Sequence, residues 1–130
     1  MKLTIRTEDK TRDVAKAAEA ANYQNLGHAG ASIRRTMVKG IRKSERYAKP
    51  GKPIHTRAGL ARKAIRFAVD REAETAVVGP RASIIGDALS VHEHGGRYRR
   101  RRYLKRPFAF PALLESIPRL GPTWSGTIGK

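Results

Sequence analysis

The segment from Gly95 to Glu115 reads GGRYRRRRYLKRPFAFPALLE, and seven of its residues between positions 97 and 106 are Lys or Arg. These residues are Arg97, Arg99, Arg100, Arg101, Arg102, Lys105 and Arg106. A guanidinium group forms bidentate hydrogen bonds with phosphate or carboxylate oxygens, and the flanking Tyr98 and Tyr103 could stack on unpaired bases. The alternative is a solvated loop. Because no acidic residue lies between Gly95 and Pro111, we expect a surface that faces a polyanion or an acidic partner.

His92, Glu93 and His94 form a second cluster, and their side chains have metal-ligand chemistry. Two His residues at i and i+2 face the same side only in a strand, and a third ligand would have to come from a distant residue such as His55. The chain has no Cys, no recognised zinc spacing, no P-loop and no nucleophile elbow. We therefore expect structural or solvent-facing roles for the three residues, with no catalytic site, metal site, cofactor or enzymatic activity.

Charge and length limit the class of protein. The 130 residues include 28 Lys or Arg and 11 Asp or Glu, which gives a net charge of +17. Such a surface attracts DNA, RNA, an anionic membrane or an acidic protein, and it repels a copy of itself. A chain of this length fits one domain. No stretch approaches the roughly 18 apolar residues that cross a bilayer, so a membrane is not an expected partner.

The first third of the chain has the pattern of helices. Residues 2–6 alternate polar and apolar side chains as a short strand does, and an Ala-rich helix is expected to begin after Thr7 or Thr11. Apolar residues then recur every three or four positions from Leu26 to Ala48, with basic residues mostly between them. This spacing predicts an amphipathic helix over residues 27–48.

The rest of the chain alternates turns with short elements. Pro and Gly residues predict a loop over residues 49–59, and residues 60–69 and 75–80 alternate as the two strands of an antiparallel hairpin. Residues 81–96 fit a short helix or a short strand, and the basic run should be an exposed connector. From Pro107 onward, apolar spacing predicts a helix that packs on the domain, with Pro118 ending or kinking it.

Together these elements predict an α+β fold: a long N-terminal amphipathic helix on a small antiparallel sheet, then a C-terminal helix. Residues 1–120 should form a single domain. Residues 121–130, rich in Gly and Pro, should form a flexible C-terminal arm. Trp124 in this arm would either anchor in a pocket of a neighbouring molecule or fold onto its own domain.

Four short motifs, in order, resemble a family of small tail-completion or neck proteins of long-tailed double-stranded DNA bacteriophages. KPGKPIHTRAGLARKAI resembles that family's Pro-x-x-Thr-Gly-x-Leu-x-x-Ser-Ile segment, with Pro53, Thr56, Gly59 and Leu60 at the matching positions. AVVGP, VHEHGG and RPFAFPAL then resemble its strand ending in Val-Gly, its Glu-x-Gly and its Pro-Phe-x-x-Pro-Ala. Two residues separate Thr56 from Gly59 where the family usually has Thr-Gly.

The resemblance implies a non-enzymatic virion protein at the joint between head and tail, made in the host cytoplasm. It implies a homo-oligomeric ring, with six as the expected number of copies. Its neighbours would be a connector or head-completion protein and a tail-terminator or tail-tube protein. The basic surface would then face either genomic DNA, without reading bases, or an acidic ring. A free, sequence-independent DNA- or RNA-binding protein is the alternative that charge and tyrosines alone favour.

Overall fold

A computed structural model describes residues 11–125, and it confirms the α+β fold. The strand expected at residues 2–6 lies outside the described residues. The helices are α1 Thr11–Gly40, α2 Leu60–Ala64, α3 Ala82–Ile85, α4 Ala88–His94 and α5 Ala109–Trp124. The strands are β1 Arg42–Lys43, β2 His55–Thr56, β3 Ile65–Asp70, β4 Thr75–Pro80, β5 Gly96–Tyr98 and β6 Arg101–Tyr103. Within residues 11–125, no helix is both long and apolar enough to cross a bilayer.

The 30-residue helix α1 replaces the two helices that the sequence predicts. The expected break near residue 27 is absent, and the helix ends at Gly40 instead of residue 48. Glycine lowers helix propensity by about 1 kcal/mol, but packing against the rest of the domain can outweigh that cost. A basic residue in the last turn, Lys39, followed by Gly40 is an ordinary signal of a helix end. The apolar spacing continues beyond Gly40, and for that reason the sequence predicts a longer helix.

The predicted hairpin is correct, and it packs on α1. Strands β3 and β4 pair antiparallel, with Phe67 opposite Val78. A Cβ placed on Gly30 of α1 would lie only 2.7 Å from Cδ2 of Phe67, so the helix meets the strand where it has no side chain. The first part of the expected strand is wrong, because Leu60–Ala64 forms the helical turn α2 before β3 begins.

The core lies where the end of α1 meets the following segments. Met37, Ile41, Ile65, Leu89 and Phe108 are at most 3% exposed and belong to one apolar cluster. They come from α1, the residue after it, β3, α4 and the residue before α5. One apolar cluster therefore packs five parts of the chain together. Truncating a buried side chain of this kind to Ala costs about 2–5 kcal/mol.

Helix α5 turns its small residues inward and its large apolar residues outward. Ala112 and Ser116 are buried, whereas Phe110, Leu113, Leu114 and Ile117 are between 39% and 60% exposed. The helix packs on the domain as the apolar spacing predicts, but Leu113 and Ile117, which belong to that spacing, are exposed. Spacing of three and four residues shows that a helix has an apolar stripe, but it does not show which molecule covers that stripe.

Pro118 does not end α5, although an end there is one of the two outcomes that the sequence predicts for it. Pro118 and Pro122 lie inside the helix. Pro111, Pro118 and Pro122 are spaced by seven and four residues, so they share one side of the helix, and all three are exposed. Water can therefore reach the carbonyl groups that lack an amide donor. The helix continues to Trp124, so the start of the expected arm is helical, and residues 126–130 lie outside the described residues.

Candidate polyanion-binding site

The basic run is an exposed connector between α4 and α5, as the sequence predicts, and it forms a β-hairpin. Arg97 of β5 pairs with Arg102 of β6, and Tyr98 pairs with Arg101. Arg99 and Arg100 form the two-residue turn, with φ values of 47° and 67°. Two positive φ values are typical of a type I′ turn, for which Asn-Gly is the favoured sequence. An arginine pair in this conformation costs stability while it places two guanidinium groups at the tip.

Strand alternation divides the hairpin into two faces. Opposed residues share a face, so Arg97 and Arg102 lie on one side while Tyr98 and Arg101 lie on the other. The tyrosines are half-buried, and the ring of Tyr103 meets the ring of His92 edge-on at 5.1 Å between centroids. Tyr103 is thus engaged with its own domain and is a poorer stacking surface for bases than the sequence suggested.

Arg106 differs from the other six basic residues because its guanidinium is tied to the domain. Its Nε donates a 2.7 Å hydrogen bond to the carbonyl of Ala48, and its backbone N–H donates a 2.7 Å bond to the carbonyl of His92. The carbonyl of Lys105 accepts a 2.8 Å bond from the N–H of Gly51. These contacts fix the base of the hairpin against the 49–59 loop.

A groove of about 370 Å³ separates the hairpin from the segment Ser44–Arg57. Its lining includes five arginines, namely Arg46, Arg57, Arg101, Arg102 and Arg106, together with the acidic Glu45. Tyr47 also lines it, is 83% exposed, and has the guanidinium of Arg57 at 5.8 Å from its ring centre. This convergence is not visible in the sequence, because Arg46, Tyr47 and Arg57 are far from the basic run along the chain.

His92 also lines this groove. Burial lowers the pKa of its imidazole below the ordinary value, and the positive charge of Arg106 lowers that pKa further. Its Nδ1 atom is buried without a hydrogen-bond partner. Since His92 and His94 lie in helix α4, they do not share a face as the two residues would in a strand. In the described part of the chain, no three His, Cys, Asp or Glu residues are grouped to hold a metal ion.

Glu93 caps the N-terminus of α5. Its side chain is only 9% exposed. Oε2 accepts hydrogen bonds of 2.7 Å from the N–H of Phe108 and 2.9 Å from that of Ala109, and Oε1 accepts a 3.0 Å bond from that of Phe110. The first amide groups of a helix have no partner within the helix, and the helix dipole also favours a negative charge there. Glu93 therefore has a structural role, which is one of the two roles that the sequence predicts, and it replaces the usual Ser or Asp cap of α5.

The motif loop residues also stabilise local structure. Thr56 is buried, its carbonyl accepts a 3.0 Å bond from the N–H of Ser44, and its Oγ1 accepts a 3.2 Å bond from the N–H of Gly59. Gly59 has a φ of 81° and immediately precedes α2, whose first residue Leu60 is 47% exposed. Pro53 is half-buried near this turn. The geometry positions the groove wall and offers no reactive group.

Trp124, the expected interface residue, lies on its own domain. Its indole N–H donates a 2.9 Å hydrogen bond to Oδ1 of Asn22 in α1, and the side chain is half-buried. Of the two alternatives for this residue, folding onto the domain describes the structure. Four large exposed apolar side chains, Phe110, Leu113, Leu114 and Ile117, lie in the preceding turns of the same helix.

No family model, curated protein or solved structure matches the chain. The resemblance to phage neck proteins therefore depends on the motifs themselves. The geometry gives two of those motifs one physical basis: Glu93, from the motif like Glu-x-Gly, binds the amide groups at the start of the Pro-Phe-x-x-Pro-Ala motif.

Proposed function

We propose that this protein is a structural, non-enzymatic component of the head–tail joint of a long-tailed double-stranded DNA bacteriophage. In this role it forms a homo-oligomeric ring between a connector and the tail tube, with its basic surface towards the DNA path. The observation that carries the proposal is the apolar stripe of α5, formed by Phe110, Leu113, Leu114 and Ile117. The order of the four motifs supplies the resemblance to neck proteins.

The stripe is best explained by assembly. Contiguous apolar patches on a protein surface mark sites of contact with other molecules. The four residues follow the i, i+3, i+4, i+7 spacing of a helix that inserts one face into a partner. The opposite, small face of α5 already packs on α1 through Ala112, Ser116 and the Arg119–Thr36 hydrogen bond of 2.8 Å. The stripe therefore needs a second surface outside the described residues of the chain.

Charge favours a neighbouring copy of the same chain as the occupant. Copies with a net charge of +17 repel one another over most of their surface. Helix α5 contains one acidic residue, Glu115, and one basic residue, Arg119, so its net charge is zero. Contact through this helix would bury apolar area where repulsion between copies is smallest, and it would leave the basic hairpin available to another partner.

Deleting the gene in the phage that encodes the protein tests the proposed role. Negative-stain electron microscopy of the lysate should show filled heads and tails that are not joined, because the ring between them is missing. Supplying the gene on a plasmid should restore joined particles. Joined, infectious virions from the deletion mutant would refute a role at the joint.

Substitutions in the stripe test the assembly surface. Leu113→Asp combined with Ile117→Asp should abolish self-association in sedimentation velocity and fail to complement the deletion. Val14→Asp is the control, because Val14 is 54% exposed, close to the 52% of Ile117, but lies in the first turn of α1. Circular dichroism should show both variants folded. Unchanged association of the stripe variant would show that α5 is not the contact between copies.

A free, sequence-independent DNA- or RNA-binding protein is the second candidate, and the exposed arginines of the hairpin favour it. This function predicts tight binding at physiological salt that falls steeply as salt rises. It also predicts normal virions after gene deletion. The deletion experiment therefore separates the two functions.

A further inference from the structure

The groove beside the hairpin continues on the other side of Tyr47. A second depression of about 620 Å³ is lined by residues between Lys39 and His55, and it shares Ser44, Arg46, Tyr47 and His55 with the first. Its basic residues are Lys39, Arg42, Arg46, Lys49 and Lys52, and its lining includes no acidic residue. The two depressions therefore adjoin at the segment that carries Tyr47, and together they are called the basic track below.

The elements of the domain hold this track in place. The N–H of Ser44 bonds to Thr56, and β1 pairs with β2, so the cations after α1 are fixed beside the motif loop. Nδ1 of His55 lies 2.9 Å from the carbonyl of Arg46, next to Tyr47. On the other side, Arg106 ties the hairpin to Ala48. Both walls are thus anchored by hydrogen bonds to backbone carbonyl groups, while most of the cationic side chains remain exposed.

We propose that this track binds single-stranded nucleic acid, with phosphate groups on its basic residues and a base stacked on Tyr47. A lone anion would occupy one depression, whereas cations that extend through both depressions suit a repeated phosphate backbone. Exposed aromatic rings within a basic groove are the usual platforms for unpaired bases. An acidic peptide would gain nothing comparable from Tyr47, which is 83% exposed and lies against Arg57.

The binding experiment uses the full chain and fluorescence anisotropy. The probes are labelled 15-nucleotide oligo-dT and oligo-U, a duplex of the same length, and unlabelled poly-glutamate as a competitor. Arg42→Gln combined with Arg46→Gln should weaken single-strand binding about tenfold or more at physiological salt. It should also lower the slope of log affinity against log salt by about 1.4, since each phosphate contact to a single strand contributes about 0.7.

Two controls separate the track from the general positive field. Arg12→Gln combined with Lys16→Gln removes the same charge from exposed positions at the start of α1 and should change affinity about twofold or less. Tyr47→Leu should weaken oligo-dT and oligo-U about fivefold or more, whereas Tyr47→Phe should keep the affinity, because stacking needs only the ring. Similar losses with both oligonucleotides would show that the track accepts DNA and RNA.

Three results would overturn the inference. An equal loss of affinity in the α1 control and in the Arg42→Gln, Arg46→Gln variant would show that binding depends on the net positive charge and not on the track. Tighter binding of the duplex than of the single strands, with an affinity that Tyr47→Leu leaves unchanged, would show that no base stacks on Tyr47. Displacement by poly-glutamate at the same charge concentration as by oligo-dT would assign the track to an acidic protein segment. None of these results bears on particle joining, so the virion role stands or fails by the gene deletion.

Discussion

The carboxylate of Glu93 accepts a 2.7 Å hydrogen bond from the backbone N–H of Phe108, although the two residues belong to different parts of the fold. Through this contact the short helix α4 determines where α5 begins. The basic hairpin lies between the two residues in sequence, so one capping interaction closes the segment that presents it. The position of the hairpin and the start of α5 are therefore mechanically coupled.

Replacing Glu93 should destabilise the whole domain. Glu93→Ala leaves three amide groups without their acceptor and should lower the free energy of unfolding by about 2–4 kcal/mol. Glu93→Gln keeps one acceptor oxygen but loses the charge, so the loss should be about 1–2 kcal/mol. Urea unfolding followed by circular dichroism measures both. The exposed Glu115→Gln should stay within about 0.5 kcal/mol of wild type, and an equal loss there would contradict the capping role.

Two glycines of α1 should respond oppositely to alanine. Gly27 has no atom within 4 Å of an added Cβ, so Gly27→Ala should stabilise the protein by up to about 1 kcal/mol through helix propensity. At Gly30 the added Cβ would lie 2.7 Å from Cδ2 of Phe67, and Gly30→Ala should destabilise by about 1–2 kcal/mol. Thermal unfolding of the two variants provides the comparison. Stabilisation at both positions would show that Phe67 moves aside freely.

His92 should make stability depend on pH on the acid side of neutrality. Its pKa is lowered in the folded protein, so the unfolded chain binds the proton first as pH falls below about 6.5. Stability contributed by the neutral imidazole is therefore present above that pH and lost as pH falls towards the folded pKa, with uptake of at most about one proton. His92→Phe should make stability less dependent on pH in this range while it keeps an aromatic ring against Tyr103. Urea midpoints measured from pH 5 to 7.5 test this expectation. The exposed His94→Gln controls for loss of an imidazole, and a flat wild-type curve would contradict the assignment.

The turn arginines should oppose stability. Arg99→Asn combined with Arg100→Gly supplies the residues that a type I′ turn favours and should stabilise the domain by about 1–2 kcal/mol. Arg99→Gln combined with Arg100→Gln removes the same charge but keeps two residues with an unfavourable positive φ. Both pairs should weaken polyanion binding equally in a salt titration, whereas only the first should raise the melting temperature. Equal stabilisation by both would attribute the effect to charge repulsion and not to backbone strain.

Much of the fold follows from local patterns in the sequence. The hairpin β3–β4 was predictable because its residues alternate around an obvious turn, and the α+β class followed from it and from the long helix. The end of α1 was misplaced because Ile41 and Ala48 continue the helical spacing, yet both are buried after the helix has stopped. Periodicity reports that a residue is buried and does not distinguish a helix from a folded loop.

The candidate site was only half predictable. The basic residues of the hairpin are consecutive, so their charge is visible in the sequence. Arg46, Tyr47 and Arg57 join them only because β1 pairs with β2 and Arg106 binds Ala48, which are contacts between distant positions. The outward stripe of α5 was equally hidden, since an apolar face has the same spacing whether it contacts its own core or another molecule.

The hairpin has a further consequence for how the protein can be probed. Four consecutive arginines, from Arg99 to Arg102, lie at an exposed turn, where proteases that cleave after arginine act first. A nick there would leave the two fragments joined by the Glu93 cap and by the bond from Arg106 to Ala48. The cleaved chain would keep its overall form. Protection of this peptide region from trypsin would then report occupancy of the hairpin in a native particle.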